Sequence, residues 1–107
     1  MQRVEDVKRN YARAEILRIM RTVKDYKQCD MVPVLGVSAS YIAQIENGRK
    51  SVTDDFLAKY LAHFGVERQA FDKVEKKVIK ILFGKEVEML KIVLMVVEML
   101  IQSKKQV

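Results

Sequence analysis

One proline, one cysteine, one histidine and no tryptophan set the first limits on this chain. The lone Cys29 excludes an internal disulfide and fits a reducing compartment. With His63 as its one imidazole companion, it cannot complete a four-ligand zinc site, so no metal and no cofactor is expected. Long hydrophobic runs are missing too. The most apolar stretch, residues 89–101, is broken by Lys91 and Glu98 and falls short of the roughly 20 apolar residues that a membrane span needs. The first ten residues, MQRVEDVKRN, are polar from the start, which argues against a secretory leader and for a cytoplasmic protein with no membrane role. Neither a phosphate-cradling glycine loop nor a nucleophile with an adjacent base is legible, so an enzyme is not the expected reading and no small-molecule ligand is evident.

Scarcity of glycine, four in 107 residues, leaves few places to interrupt a helix. Half of the chain is hydrophobic, and Leu, Ile, Met, Lys and Glu recur throughout; this composition predicts an all-α protein. The net charge of +6 divides evenly, +3 in residues 1–65 and +3 in residues 66–107. It suits a polyanionic partner without demanding one, and no basic tail gathers it.

Residues 4–24 read as helical, with Val4, Val7, Tyr11 and Ala14, then Ile16, Leu17, Met20 and Val23, at steps of three and four. Asn10 is a candidate cap for a second start, which leaves one helix or two open. After a connection at residues 25–27, a second helix is predicted over residues 28–35, stopped by Gly36. Pro33 lies inside it, and a proline is tolerated only in a helix's first turn, so this helix should be short, kinked or late in starting. Thr53 caps a further helix with Asp54 and Asp55 in its first turn. Its buried stripe is Phe56, Leu57, Tyr60, Leu61 and Phe64, and Gly65 ends it.

Residues 35–48, LGVSASYIAQIENG, hold the most informative pattern. Gly36 permits a sharp turn, Ser38 can cap the helix that follows, and Asn47-Gly48 can stop it. Ile42 and Ile45, three apart, share an inward face. Ser40, Ala43, Gln44 and Asn47 share another, small and amide-bearing rather than charged. Such a face suits close approach to the edges of bases in a DNA major groove.

Residues 13–66 resemble the Xre/Cro-type helix-turn-helix family of phage and bacterial repressors: LRIMR, then Gln28, then LGVSASYIAQIENGRK, then an amphipathic helix ending in FGV. The resemblance covers about half the chain. It implies a lambda repressor-like helix-turn-helix domain that binds double-stranded DNA to regulate transcription. It also implies residue roles. Ala39, Ser40 and Gln44 would face the bases, with Gln44 the best placed for a base-edge pair. Gln28 would contact a phosphate, and Ser38, Tyr41, Asn47, Arg49 and Lys50 are further backbone-contact candidates. Arg21 and Glu46 match the family's ion pair between the first helix and the recognition helix. Val32 stands where the family usually has alanine, and Pro33 follows it.

Past residue 66 the pattern changes. Phe71, Val74, Val78 and then Ile81 or Leu82 form an apolar stripe flanked by Lys73, Lys76, Lys77 and Lys80, which read as a solvated face. Beyond Gly84, Val87, Leu90, Leu94, Val97 and Ile101 step by three and four like a heptad seam, with Ile92, Val93, Val96, Met99 and Leu100 adding apolar surface. A helix apolar nearly all round needs cover nearly all round, and a second copy of the chain is the natural cover. The expected organisation is therefore residues 1–66 as the helix-turn-helix domain, with residues 1–11 a candidate N-terminal arm, and residues 67–107 as a helical dimerisation extension. The expected functional unit is a homodimer, a repressor on a palindromic operator. The alternative is an antitoxin or other protein-interaction regulator, its apolar C-terminal helix bound to a different protein. Cys29 is expected to be a partly buried structural thiol, His63 a favourable contact to a helix C-terminus, and the six methionines core or interface filler.

Overall fold

The computed structural model describes residues 3–84 and 89–104, which form six helices and one 3-10 turn with no strand among them. The helices are α1 (Val4–Val23), α2 (Val32–Leu35), α3 (Ala39–Glu46), α4 (Asp54–Phe64), α5 (Arg68–Leu82) and α6 (Met89–Lys104), with the 3-10 turn Gln28–Met31 leading into α2.

Helix ends follow local chemistry. α1 closes in a Schellman motif: the Tyr26 N–H donates to the Arg21 carbonyl and the Asp25 N–H to that of Thr22, with Asp25 at φ 61° in the left-handed position. α3 closes the same way, Arg49 N–H on Gln44 and Gly48 N–H on Ile45, and so does α4 through Gly65 and Val66. Thr53 Oγ1 accepts from the Phe56 N–H at 3.2 Å to open α4. Pro33 falls in the first turn of α2, because the preceding residues wind as a 3-10 turn and the α-helix starts only at Val32. Gly36 (φ 68°) then reverses the chain after a single α-turn.

α1 runs unbroken from Val4, so residues 4–11 of the stretch read as an arm form its first turns, and Asn10 caps nothing within it. Asn10 Oδ1 instead accepts from the Val52 N–H at 2.7 Å, which ties α1 to the loop before α4. Cys29 is exposed rather than partly buried, because the 3-10 turn presents Met31 to the core and leaves the thiol outside.

One core joins all of this. Ile16, Leu17 and Met20 of α1 meet Ile42 and Ile45 of α3, Leu57 and Tyr60 of α4, and Phe71 and Val78 of α5 in a single buried cluster. Ile92, Val96, Met99 and Leu100 of α6 belong to the same cluster, and α6 packs on both α1 and α5. Packing therefore marks no boundary at residue 66. Glu75 of α5 is buried among these apolar residues. It meets Arg13 at 2.9 Å and Arg9 at 3.5 Å, and Arg13 reaches on to Asp54 of α4 at 3.6 Å, so three helices share one ionic network.

Tyr60 is fully buried, and its hydroxyl donates to the Leu17 carbonyl at 2.7 Å. Burial pushes its phenol well above the ordinary value of 10.0. The folded state thus prefers the neutral form. Its contribution to stability is complete below about pH 10 and is lost as pH rises further, because the unfolded chain ionises first. Urea unfolding followed from about pH 8 to 11 should show a steep alkaline loss, and Tyr60→Phe should flatten that limb while costing about 1 kcal/mol near neutrality. An equally steep limb in the variant would assign the loss to other groups.

Candidate nucleic-acid interface

α3 is built to show one face and bury the other. Ser38 Oγ accepts from the Tyr41 N–H at 3.0 Å, which satisfies an orphan donor of the first turn and leaves the serine's own O–H unused by that bond. Ile42 and Ile45 are completely buried, and α3 packs against α1 and the 3-10 turn. On the other side Ala39, Ser40 and Asn47 are exposed and Gln44 is half-buried. Neither Ser40 nor Gln44 makes a side-chain hydrogen bond among the described residues, so both polar groups remain available to a partner.

The residues flanking this face gather around it. Lys50 Nζ lies 4.9 Å from the centre of the Tyr41 ring, a cation–π contact that holds a positive charge beside the first turn of α3. Tyr41 in turn leans on Phe56 of α4. Asn47 Oδ1 accepts from the Arg49 N–H at 3.1 Å, and both the Arg49 and Lys50 N–H groups donate to the Gln44 carbonyl. The loop after α3 is therefore folded back on the helix end, with the Arg49 and Lys50 side chains exposed on it.

Behind the helix lies a polar cluster. Arg21 donates from Nε to Glu46 Oε2 and from Nη2 to Glu46 Oε1, both at 2.8 Å, and from Nη1 to the Tyr26 carbonyl at 2.7 Å. The Arg21 and Glu46 side chains are 14% and 5% exposed, so this is a part-buried, bidentate pair between α1 and α3. Its hydrogen bond to Glu46 holds the Arg21 guanidinium above its ordinary range, against the opposing effect of burial. Gln28 joins as a third member, its Nε2 donating to Glu46 Oε1 at 3.1 Å. Sequence reasoning gave Gln28 an outward role and missed this inward bond, since nothing local links positions 18 residues apart. The Glu75 network and the Asn10 bond were missed for the same reason.

The heptad residues take a distinct position. Leu90, Leu94 and Ile101 are half-exposed or more on α6, Val97 is half-buried, and Val87 lies outside the described residues. His63 is exposed in the last turn of α4 and meets the rings of Tyr26 and Phe64 edge-on. Lys73, Lys76, Lys77 and Lys80 are all exposed along α5. Among the described residues no group of histidine, cysteine and carboxylate side chains has metal-binding geometry, and no helix is long and apolar enough to cross a membrane.

Among known proteins, a helix-turn-helix family model matches residues 34–71, which span the end of α2, α3, α4 and the first turn of α5. No curated protein and no solved structure matches the chain.

Proposed function

We propose that this chain, whose residues 34–71 belong to the Xre/Cro-type helix-turn-helix family of DNA-binding transcriptional regulators, acts as a homodimeric repressor on a palindromic operator. The observation that carries the reading is the outward row of α3: Ala39 and Ser40 are exposed and Gln44 is half-buried beside them, the two polar side chains without an internal partner among the described residues, on a helix fixed from behind by Ile42, Ile45 and Glu46. Each subunit would lay α3 in a major groove. Gln44 would read a base edge, most naturally the paired acceptor and donor of an adenine, while Ala39 and Ser40 permit the close approach. Gln28, Ser38, Tyr41, Asn47, Arg49 and Lys50 would meet phosphates on either side and set the register. Two copies joined through α6 would address half-sites about 34 Å apart, one helical turn. Bound in the cytoplasm over a promoter, the dimer would exclude RNA polymerase.

Selection of bound duplexes from a random library tests this reading. Wild-type protein should enrich a two-fold symmetric sequence. Gln44→Ala should still bind but lose preference at one base pair per half-site, a discrimination of about 1–3 kcal/mol for a good bidentate contact. An unaltered preference in that variant would remove Gln44 from base reading.

A further inference from the structure

We infer that Glu46 is a positioning residue for Gln28: it fixes which end of the Gln28 amide faces a DNA phosphate. The inference rests on the DNA-binding reading above and deepens it. A carboxylate can only accept hydrogen bonds, so Glu46 can hold only the NH2 end of a neighbouring amide. It holds Gln28 Nε2 at 3.1 Å through Oε1, the same oxygen that accepts from Arg21 Nη2. Glu46 cannot turn away to release it. Both its oxygens are engaged by Arg21, and Arg21 is itself anchored a third time on the Tyr26 carbonyl.

The consequence is chemical polarity. Gln28 Nε2 carries two N–H groups, and Glu46 takes one of them. The other stays on the nitrogen for an outside acceptor, and a phosphate oxygen is purely an acceptor. Were the amide free to flip, the phosphate alone would have to hold its NH2 end outward, and the contact would bear the cost of that ordering. The bond also spans the motif, from the 3-10 turn before α2 to the last residue of α3. The phosphate contact is thereby set in register with the reading helix rather than with its own short turn.

The test is a scan of the selected operator with a single neutral methylphosphonate at each backbone position, using the full chain. With wild-type protein, one position per half-site should lose roughly three- to tenfold in affinity through Gln28, about the worth of one hydrogen bond. Gln28→Ala should be insensitive at that position. Glu46→Gln, whose new amide can hold Gln28 in either sense, should also lose sensitivity there while the other phosphates keep theirs. A merely structural role for Glu46 would instead weaken all positions alike. If Glu46→Gln does not fold, the double variant Arg21→Met/Glu46→Leu takes its place, since it removes the carboxylate without stranding a charge. Retained sensitivity at the Gln28 position in the variant overturns the positioning role alone. Wild-type protein that enriches no duplex overturns the DNA reading and the inference together.

Discussion

In the proposed homodimer, Leu94→Glu is expected to yield a monomer and to weaken operator binding by about two orders of magnitude, with little change in the fold of the subunit. The reason lies in how α6 divides its apolar residues. Ile92, Val96, Met99 and Leu100 are buried against the subunit's own α1 and α5. Leu90, Leu94 and Ile101 are 72%, 53% and 50% exposed, a second apolar stripe left uncovered among the described residues. Covering one leucine contributes about 1.5–3 kcal/mol, and a two-fold axis counts each residue twice. Glutamate at position 94 removes both contributions and sets two carboxylates in the interface. Because position 94 stands clear of the subunit's core, thermal stability of the monomer should stay within about 0.5 kcal/mol of the unaltered subunit. DNA affinity falls because each monomer must then find its half-site alone, losing an effective-concentration gain of about 10²–10⁴. Light scattering and a gel-shift titration on one preparation read both effects. A Leu94→Glu protein that remains dimeric would move the interface elsewhere. A wild-type chain that is monomeric, or insoluble without a co-expressed partner, would favour the antitoxin-like alternative.

The two stripes of α6 also show what the sequence could and could not convey. Its periodicity shows a helix apolar on most sides, but it cannot assign each side to its cover. That depends on where α1 and α5 lie, and so on chain reversals far from α6. Features that complete themselves within a few residues were legible: Ser38 and Thr53 each cap a helix through a bond three residues on. Gly36 and Gly65 take left-handed conformations at helix ends, and Pro33 forces a late start on α2. The inward direction of Ile42 and Ile45 followed from their spacing alone. Bonds that close over long loops were not legible from spacing, and the Arg21–Glu46 pair, 25 residues apart, was expected only through the family resemblance. Asn10 looked like a local cap and instead serves Val52, 42 residues away. Glu75 lies in the sequence between Lys73 and Lys76, with nothing local to mark it as buried. It is buried because Arg9 and Arg13 meet it from the α1 side, Arg13 from 62 residues away. Cys29 turned outward because the 3-10 turn ahead of Pro33 rotates its neighbour Met31 into the core, a geometry no helical period anticipates. The candidate interface divides in the same way. Its outward row on α3 follows from helical spacing, while the polar cluster behind it is assembled from three separate segments.

That cluster yields the second large effect. Arg21→Met should destabilise the subunit by about 3–5 kcal/mol, because it strips the buried Glu46 carboxylate of its counter-charge and leaves only the Gln28 amide. In thermal unfolding this corresponds to a fall of roughly 10–20 °C or more for a domain of this size. Arg21→Met/Glu46→Leu should recover most of the loss, since an apolar pair of similar volume removes the desolvation cost of both ions together with their attraction. The residual deficit belongs to the Tyr26 carbonyl, which loses its Arg21 donor. Operator affinity should not recover alongside stability. The double variant is expected to fold without the carboxylate that orients Gln28, so each half-site should lose roughly three- to tenfold, about one hydrogen bond's worth, and the two-fold dimer should bind roughly 10- to 100-fold more weakly than wild type. Measured together, urea unfolding and gel-shift titration separate the two duties of one side chain. Full recovery of both would make the Arg21–Glu46–Gln28 cluster a matter of stability alone. Negligible destabilisation in Arg21→Met would mean that water reaches Glu46 and that the pair fixes little. Recovery of stability without recovery of binding is the expected outcome, because apolar packing can replace the ion pair's cohesion but cannot hold an amide in one orientation.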